Sequence, residues 1–313
     1  MIKIAFSGAA GKMGKRLVAI AAADENFKLV AALDAPACPV LGQDAGELAG
    51  VGALGVPVTA ELPADVAPDV IVDFSSPLAF DSLLALCVER SIPLVYATTG
   101  LGDDQLARLA DAAKTIPVLR SPSMSPSVNL TMKLAQIAAK ALKDADADVE
   151  IVERHHRYKV DAPSGTALKF GDVIAKEMGI DSFRNGRDGK VGARPHNEIA
   201  YHAIRTGDDP GQHTIIFGLL GETLELTVRS SNRDAYATGA LEAAITALAI
   251  KEGFVPPTIN YDEPDLEVEA TKGEVPLDLN YTPNVGVKRE IRVALSSSLG
   301  FGGHNGILVF KKV

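Results

Sequence analysis

Residues 3–14 read Lys3-Ile4-Ala5-Phe6-Ser7-Gly8-Ala9-Ala10-Gly11-Lys12-Met13-Gly14. The run Ile4-Ala5-Phe6 is apolar without alternation, which suits a strand buried on both faces. Glycines at 8, 11 and 14 interrupt it. Residues 12–23 then carry apolar side chains at helical spacing. Glycine tolerates a tight turn from strand into helix and, lacking a Cβ, lets a ligand approach the backbone. The helix that begins there presents unpaired amides, which attract an anion such as a pyrophosphate. Residues 28–33 read as a second strand that ends at Asp34, where a carboxylate can bind the ribose hydroxyls of a dinucleotide. A turn packed for its own sake, without a ligand, is the competing reading.

Working outward, residues 70–74, 78–90, 94–97, 103–114 and 118–119 read as strand, helix, strand, helix, strand. Apolar strands separated by amphipathic helices predict an α/β fold with a doubly wound parallel sheet, Rossmann-like in its strand, glycine turn and helix. After Asn129 the rhythm changes. Residues 130–143 read as a helix, 149–152 as a strand and 166–178 as a helix. A polar loop over 185–194 precedes three strand candidates, at 199–204, 214–219 and 223–228, joined by short turns. These predict a second, α+β domain with a mixed or antiparallel sheet. The apolar helix at 235–250 is long enough to return to the first sheet. The expected division is 1–126 plus 235–252, then 127–234, then a compositionally distinct tail over 253–313 with late strand candidates at 291–295 and 307–310.

A net charge of -9 argues against a nucleic-acid partner, which a negative surface repels. The two cysteines, Cys38 and Cys87, are too few for a disulfide framework or a cysteine zinc site and are expected to be buried and reduced. The scattered His196, His202, His213 and His304 lack metal-ligand spacing, so no catalytic metal is expected. No signal-like start and no apolar run of about 18 residues occur, which predicts a cytoplasmic protein with no membrane partner.

The densest chemistry lies in Glu153-Arg154-His155-His156-Arg157-Tyr158-Lys159-Val160-Asp161-Ala162-Pro163-Ser164-Gly165-Thr166. Cationic side chains follow a strand, and a Pro-Ser-Gly-Thr turn opens a helix. Together they can hold an anion, and His or Lys can donate a proton near neutral pH. A solvated basic loop beside an ordinary helix cap is the bland alternative. Asp34 is followed by Ala35 and Pro36 rather than arginine, which favours NADH. Lys12 is near enough to a 2′-phosphate to keep NADPH open.

The string His155-His156-Arg157-x-Lys159-x-Asp161-Ala162-Pro163-Ser164-Gly165-Thr166 resembles the signature of the 4-hydroxy-tetrahydrodipicolinate reductases. Further landmarks in that family's order are the Gly8 loop, residues 43–47, Thr98-Thr99-Gly100, Val128-Asn129, residues 211–214 and Gly221-Glu222. The resemblance spans residues 1–250. It implies reduction of a cyclic dicarboxylate by NADH or NADPH in lysine (diaminopimelate) biosynthesis, by a homo-oligomer that is a tetramer. The first division of the chain would then bind the dinucleotide, and the second would bind substrate and assemble the oligomer. The resemblance implies cofactor contacts at Gly8, Ala9, Ala10, Gly11, Lys12, Met13 and Asp34, at Ala97, Thr98 and Thr99, and at Pro122, Ser123, Met124 and Ser125. His155 and Lys159 would be proton donors. His156, Lys159, Gly165 and Thr166 would bind substrate, and the five cations of residues 154–159 would answer its two negative charges.

Ala97 and Ser127 stand where the family carries glycine, and Ser123 where it carries asparagine. Serine in a glycine position is expected to strain the backbone. The tail, in residues 252–261 and 293–305, resembles the C-terminal end of β-ketoacyl-acyl-carrier-protein synthases, a likeness that begins as early as residues 239–242. It lacks their nucleophilic cysteine and catalytic histidine motifs, so no condensing activity is expected. Two rival readings are another amino-acid-pathway dehydrogenase, such as an aspartate or homoserine dehydrogenase, and a catalytically impaired dinucleotide-binding chimera.

Overall fold

The computed structural model describes residues 1–252, 254–255, 287–288, 293–300 and 304–311. Its first sheet has six strands: β1 (Ile2–Ser7), β2 (Phe27–Leu33), β3 (Val58–Thr59), β4 (Val70–Asp73), β5 (Leu94–Tyr96) and β6 (Val118–Arg120). All neighbours are parallel, in the order β3-β2-β1-β4-β5-β6. Helices α1 (Lys12–Ala22), α2 (Ala45–Ala49), α3 (Phe80–Glu89) and α4 (Asp103–Ala112) connect them.

Strand alternation sends the two halves of each strand's side chains into different cores. Ile4 and Phe6 pack with Leu17, Val18 and Ala21 of α1 on one face. Ala5 packs with Phe80, Leu83 and Leu84 of α3 and Leu109 of α4 on the other. Both faces are covered, so the α/β reading of the apolar runs holds. Cys87 is buried in the second of these cores, where burial pushes its thiol up to about 12. Cys38 is only half-buried, contrary to expectation, because it lies in a connecting segment outside either core.

The second sheet is mixed. Strands β7 (Asp148–His155), β8 (Phe183–Asn185), β9 (Ile199–Arg205), β10 (Gln212–Leu219) and β11 (Glu222–Arg229) run in the order β11-β10-β7-β9-β8. The β10 strand is antiparallel to both neighbours, whereas β7, β9 and β8 are parallel. Helices α5 (Pro126–Leu142) and α6 (Gly165–Met178) cover one face, with Val128, Ala135, Phe170 and Ile174 against Val149, Ile151, Ile215 and Phe217. On β7 burial alternates strictly, so Val149, Ile151, Glu153 and His155 share the covered face.

Helix α7 (Asp234–Glu252) returns to the first sheet, burying Ala237, Ala240, Leu241 and Ala244 with Ile4 and Phe6. Small side chains let it approach closely: a Cβ on Gly239 would fall 1.9 Å from the Met124 carbonyl oxygen. Beyond it, β12 (Phe254–Val255) pairs antiparallel with β13 (Val287–Lys288), and β14 (Val293–Gly300) with β15 (His304–Lys311). The late strand candidates therefore pair with each other and join neither main sheet. Residues 291–292 of the first candidate lie outside the described residues. Among the described residues no helix is long and apolar enough to cross a membrane.

Candidate active site

In a sheet of this order the strand sequence reverses between β1 and β4, the place where such sheets bind ligands beyond their carboxyl ends. Gly8 and Asp73 stand there. Gly8 has φ +79°, and a Cβ on it would lie 2.5 Å from the Phe74 carbonyl oxygen. A Cβ on Gly14 would lie 2.1 Å from the Gly8 oxygen, so α1 packs directly on the turn. The Leu33 carbonyl accepts from the Gly8 and Ala9 amides, at 2.9 and 3.0 Å. Asp34 Oδ2 accepts from the Ala10 amide at 2.8 Å. The acid that ends β2 therefore also shapes the glycine turn.

Helix α1 starts at Gly11 with no side-chain cap and no acid in its first turn. Gly11 and Lys12 are exposed and Met13 is half-buried. An uncapped, acid-free helix start beside an exposed lysine fits the phosphates of a dinucleotide.

Across the sheet ends, Ala97 is buried and its amide donates to the Asp73 carbonyl at 3.0 Å. Thr98 Oγ1 donates to Asp73 Oδ2 at 2.6 Å and Ser75 Oγ to Oδ1 at 2.6 Å. Burial pushes the Asp73 carboxyl above the usual carboxylate range despite these hydrogen bonds. Thr99 is exposed. In the loop after β6, Pro122 is half-buried while Ser123, Met124 and Ser125 are buried, Met124 in the core under α7. Asn129 Nδ2 donates to the Ser123 and Ser125 carbonyls, both at 2.9 Å, and Ser125 Oγ caps α5.

The expected strain is not there. Ser127 lies in the first turn of α5, and among the described residues the non-glycines with positive φ are Ser91 and Asp146. Helical backbone accepts serine as readily as glycine.

The second half of the site hangs on one carboxylate. Glu153 is fully buried. Its Oε2 accepts from His155 Nδ1 at 2.5 Å and Arg205 Nη1 at 2.8 Å. Its Oε1 accepts from Arg205 Nη2 at 2.7 Å and the Ser164 amide at 3.1 Å. Burial alone would raise this carboxyl, but the hydrogen bonds from His155 and Arg205 hold it at about 2. His155 is 8% exposed, and a Cβ on Gly211 (φ +146°) would come within 3.0 Å of its Nε2. Ser164 Oγ caps α6 through the Ala167 amide and lies 3.1 Å from His213 Nε2. Gly165 and Thr166 follow it in the first turn, where amides have no partner within the helix.

Lys159 pairs with Asp161 at 2.7 Å. His156 Nδ1 is buried without a hydrogen-bond partner. Burial, then Arg233, Lys12, His155 and Lys159, hold His156 below the usual histidine range. The five-cation expectation is corrected: Arg154 points off the covered face to Asp209 at 2.5 Å, and Arg157 is exposed.

The two halves meet. Lys12 Nζ sits 5.8 Å from the centre of the Tyr158 ring, and a Cβ on Gly165 would lie 3.7 Å from Thr99 Cγ2. The glycine turn and the Thr98–Thr99 segment thus adjoin the histidine loop and the start of α6.

Comparison with known proteins agrees with this geometry. The family models for dihydrodipicolinate reductase match residues 2–124, its N-terminal part, and 127–256, its C-terminal part. The chain belongs to the dihydrodipicolinate reductase family. A 4-hydroxy-tetrahydrodipicolinate reductase of Rhodopirellula baltica is 52% identical over 258 residues, covering 80% of this chain and 92% of the relative. One from Alkalilimnicola ehrlichii is 46% identical over 246 residues, covering 77% and 92%. The dipicolinate-bound dihydrodipicolinate reductase of a Paenisporosarcina species aligns with a TM-score of 0.63 at 29% identity, covering 80% of this chain and 96% of that one. Membership makes the chain an NAD(P)H-dependent oxidoreductase. The C-terminal match runs through 256, so residues 239–242 lie within the reductase part rather than at the start of the tail.

Sequence reading of this reductase overlooked Arg205, Arg233 and Asp73, and noted Glu153 without a role. A signal for Glu153 existed. Period-two alternation from Val149 and Ile151 puts it on an apolar face, where a carboxylate requires partners.

Proposed function

We propose that this chain reduces 4-hydroxy-tetrahydrodipicolinate to tetrahydrodipicolinate, in the lysine (diaminopimelate) pathway, with NADH or NADPH. The observation that carries the reading is the juxtaposition of Gly165 with Thr99 and of Tyr158 with Lys12, which sets an anion-binding helix start beside a dinucleotide turn.

The 4-hydroxyl group leaves as water, the dinucleotide would supply the hydride to the ring, and a proton is delivered to the neighbouring carbon. The first-turn amides of Lys12 and Met13 and the Lys12 side chain would receive its pyrophosphate beside the Gly8–Gly11 turn, Asp34 its ribose, Thr98 and Thr99 the nicotinamide side, and residues 122–125 the bridge to substrate. The Gly165 and Thr166 amides hold one substrate carboxylate. His156, with an unpaired buried Nδ1 in a field of cations, offers a donor to the dianion. Lys159 reaches substrate by exchanging Asp161 for a substrate carboxylate, and the positive charge beside the substrate stabilises negative charge developing on the ring. His155, with Nδ1 engaged by Glu153, keeps Nε2 at the opposite edge of its ring for proton donation to the carbon next to the reduced one.

On this reading residues 1–126 with 235–252 bind the dinucleotide, and residues 127–234 bind substrate and assemble a homo-tetramer in the cytoplasm. NADH is the preferred donor, because Asp34 has no arginine neighbour to offset repulsion of a 2′-phosphate. We read the tail over 253–313, in residues 252–261 and 293–305, as resembling the end of β-ketoacyl-acyl-carrier-protein synthases, without catalytic consequence.

Steady-state oxidation of NADH with freshly prepared 4-hydroxy-tetrahydrodipicolinate tests this. Removing a general acid costs about 10²–10⁴-fold in rate, so His155→Ala and Lys159→Ala should each lose at least that lower amount. Wild-type rates in either variant would refute the assignment.

A further inference from the structure

The catalytic reading leaves Glu153 unexplained. A fully buried carboxylate with four donors is costly to assemble. Its donors are the proposed proton donor His155, the amide of Ser164 at the mouth of α6, and both terminal nitrogens of Arg205. Arg205 Nη2 also reaches the Asp161 carbonyl at 2.5 Å, and Asp161 pairs with Lys159. One carboxylate therefore connects the three groups that the proposed reaction uses: the imidazole, the carboxylate-binding amides and, through Arg205, the lysine's partner.

We infer that Glu153 is a positioning residue that fixes His155 with its proton on Nδ1 and its Nε2 committed to substrate, while anchoring the α6 amides in register with it. This inference rests on the reading of His155 as proton donor.

The chemistry is that of a carboxylate behind an imidazole. Glu153 accepts the Nδ1 proton, so the neutral ring can carry its proton only there, and Nε2 is the nitrogen that gains and gives one. When Nε2–H passes its proton to the substrate carbon, the imidazolium becomes a neutral ring with Nδ1–H still bound to Glu153, and no proton moves onto the carboxylate. Arg205 keeps Glu153 ionised throughout. The other groups facing this pair are His213 from β10, with its ring 5.2 Å from that of His155, Tyr236 from α7, whose hydroxyl borders Gly211, and His156 and Lys159 in the same loop. None of these is an acid, and Glu153 is the carboxylate bonded to the ring, with Asp161 paired to Lys159 and Asp209 to Arg154.

The first test uses the wild-type enzyme with NADH bound. In ¹⁵N-histidine NMR, with the His155 signals assigned by their loss in His155→Phe, Nδ1 should stay protonated on both sides of the ring's titration. A neutral ring protonated on Nε2 overturns the inference. The second test is Glu153→Gln, which keeps the shape and removes the charge. Replacing the carboxylate behind a catalytic imidazole by its amide costs up to about 10⁴-fold, so kcat should fall by at least about tenfold while KM for NADH stays within about twofold. If Glu153→Gln folds and keeps the wild-type kcat, the inference fails. Should it not fold, the NMR result on the wild type decides. Activity of His155→Ala separates the two levels: a fully active His155→Ala sinks the donor reading itself, whereas an inactive one beside a wild-type-like Glu153→Gln sinks only the role given to Glu153.

Discussion

Lys12 Nζ lies 5.8 Å from the centre of the Tyr158 ring, so the first helix of the parallel sheet touches the histidine loop of the mixed sheet. Both side chains are exposed, and a cation over an aromatic face at such a site contributes about 0.5–1 kcal/mol. Tyr158→Ala should therefore raise KM for NADH and substrate by about two- to fivefold and leave kcat nearly unchanged, whereas Tyr158→Phe should behave as wild type. Initial-rate kinetics of the two variants decide this.

Gly14 tests whether the turn must be as tight as it is. A Cβ there would meet the backbone oxygen of Gly8 at 2.1 Å and Ala9 Cα at 2.5 Å, and backbone cannot swing aside as a side-chain end does. Gly14→Ala should lower stability by about 1–3 kcal/mol and raise KM for NADH at least tenfold, because α1 must back away from the turn. Urea unfolding and NADH titration are the measurements, and unchanged NADH binding contradicts the account.

The fold should be acid-sensitive. Burial holds His213 at about 3 instead of the ordinary 6.5, so below pH 6.5 the unfolded chain takes up a proton that the folded one refuses. Burial alone would raise Glu150 and Glu153. Hydrogen bonds from Arg187, His202 and Arg194 to the one, and from His155 and Arg205 to the other, instead hold both at about 2 against an ordinary 4.5. Their stabilisation is complete above pH 4.5 and lost as pH falls toward 2. All three groups give stability the same slope, rising with pH. Urea midpoints measured from pH 7 to pH 4 should fall throughout, with a loss of the order of a few kcal/mol. A flat profile contradicts the burial of His213.

Much of this was legible in residues 3–14, because an unbroken apolar run followed by glycines and a helical pattern admits few folds. Short elements were not: β3, α2 and β8 are two, five and three residues long, too short for periodicity to register. Helix α5 begins at Pro126, ahead of the expected 130, because Ser125 caps it and proline suits a first helical position. Strand β7 runs on to His155, past the expected 152, because Glu153 is matched by Arg205. A sequence shows the glutamate and the arginine but not their pairing across 52 positions, and without the pair the glutamate reads as the start of a loop.

The tail should not contribute to chemistry. The family match ends at 256, and every residue placed in the site precedes that point. A chain ending at 256 should keep kcat and both KM values within about twofold, so that the change in barrier stays below about 0.4 kcal/mol. A large loss of kcat in a folded, truncated enzyme contradicts this.

The central claim is that a dinucleotide on the Gly8 turn faces a dicarboxylate held at the start of α6. A crystal structure with NADH and pyridine-2,6-dicarboxylate tests it most directly. The pyrophosphate should lie on the amides of Lys12 and Met13 and one carboxylate on the Gly165 and Thr166 amides, with Lys159 turned from Asp161 toward the ligand. A dicarboxylate bound away from the 155–166 loop, or a dinucleotide that leaves the glycine turn empty, would contradict it.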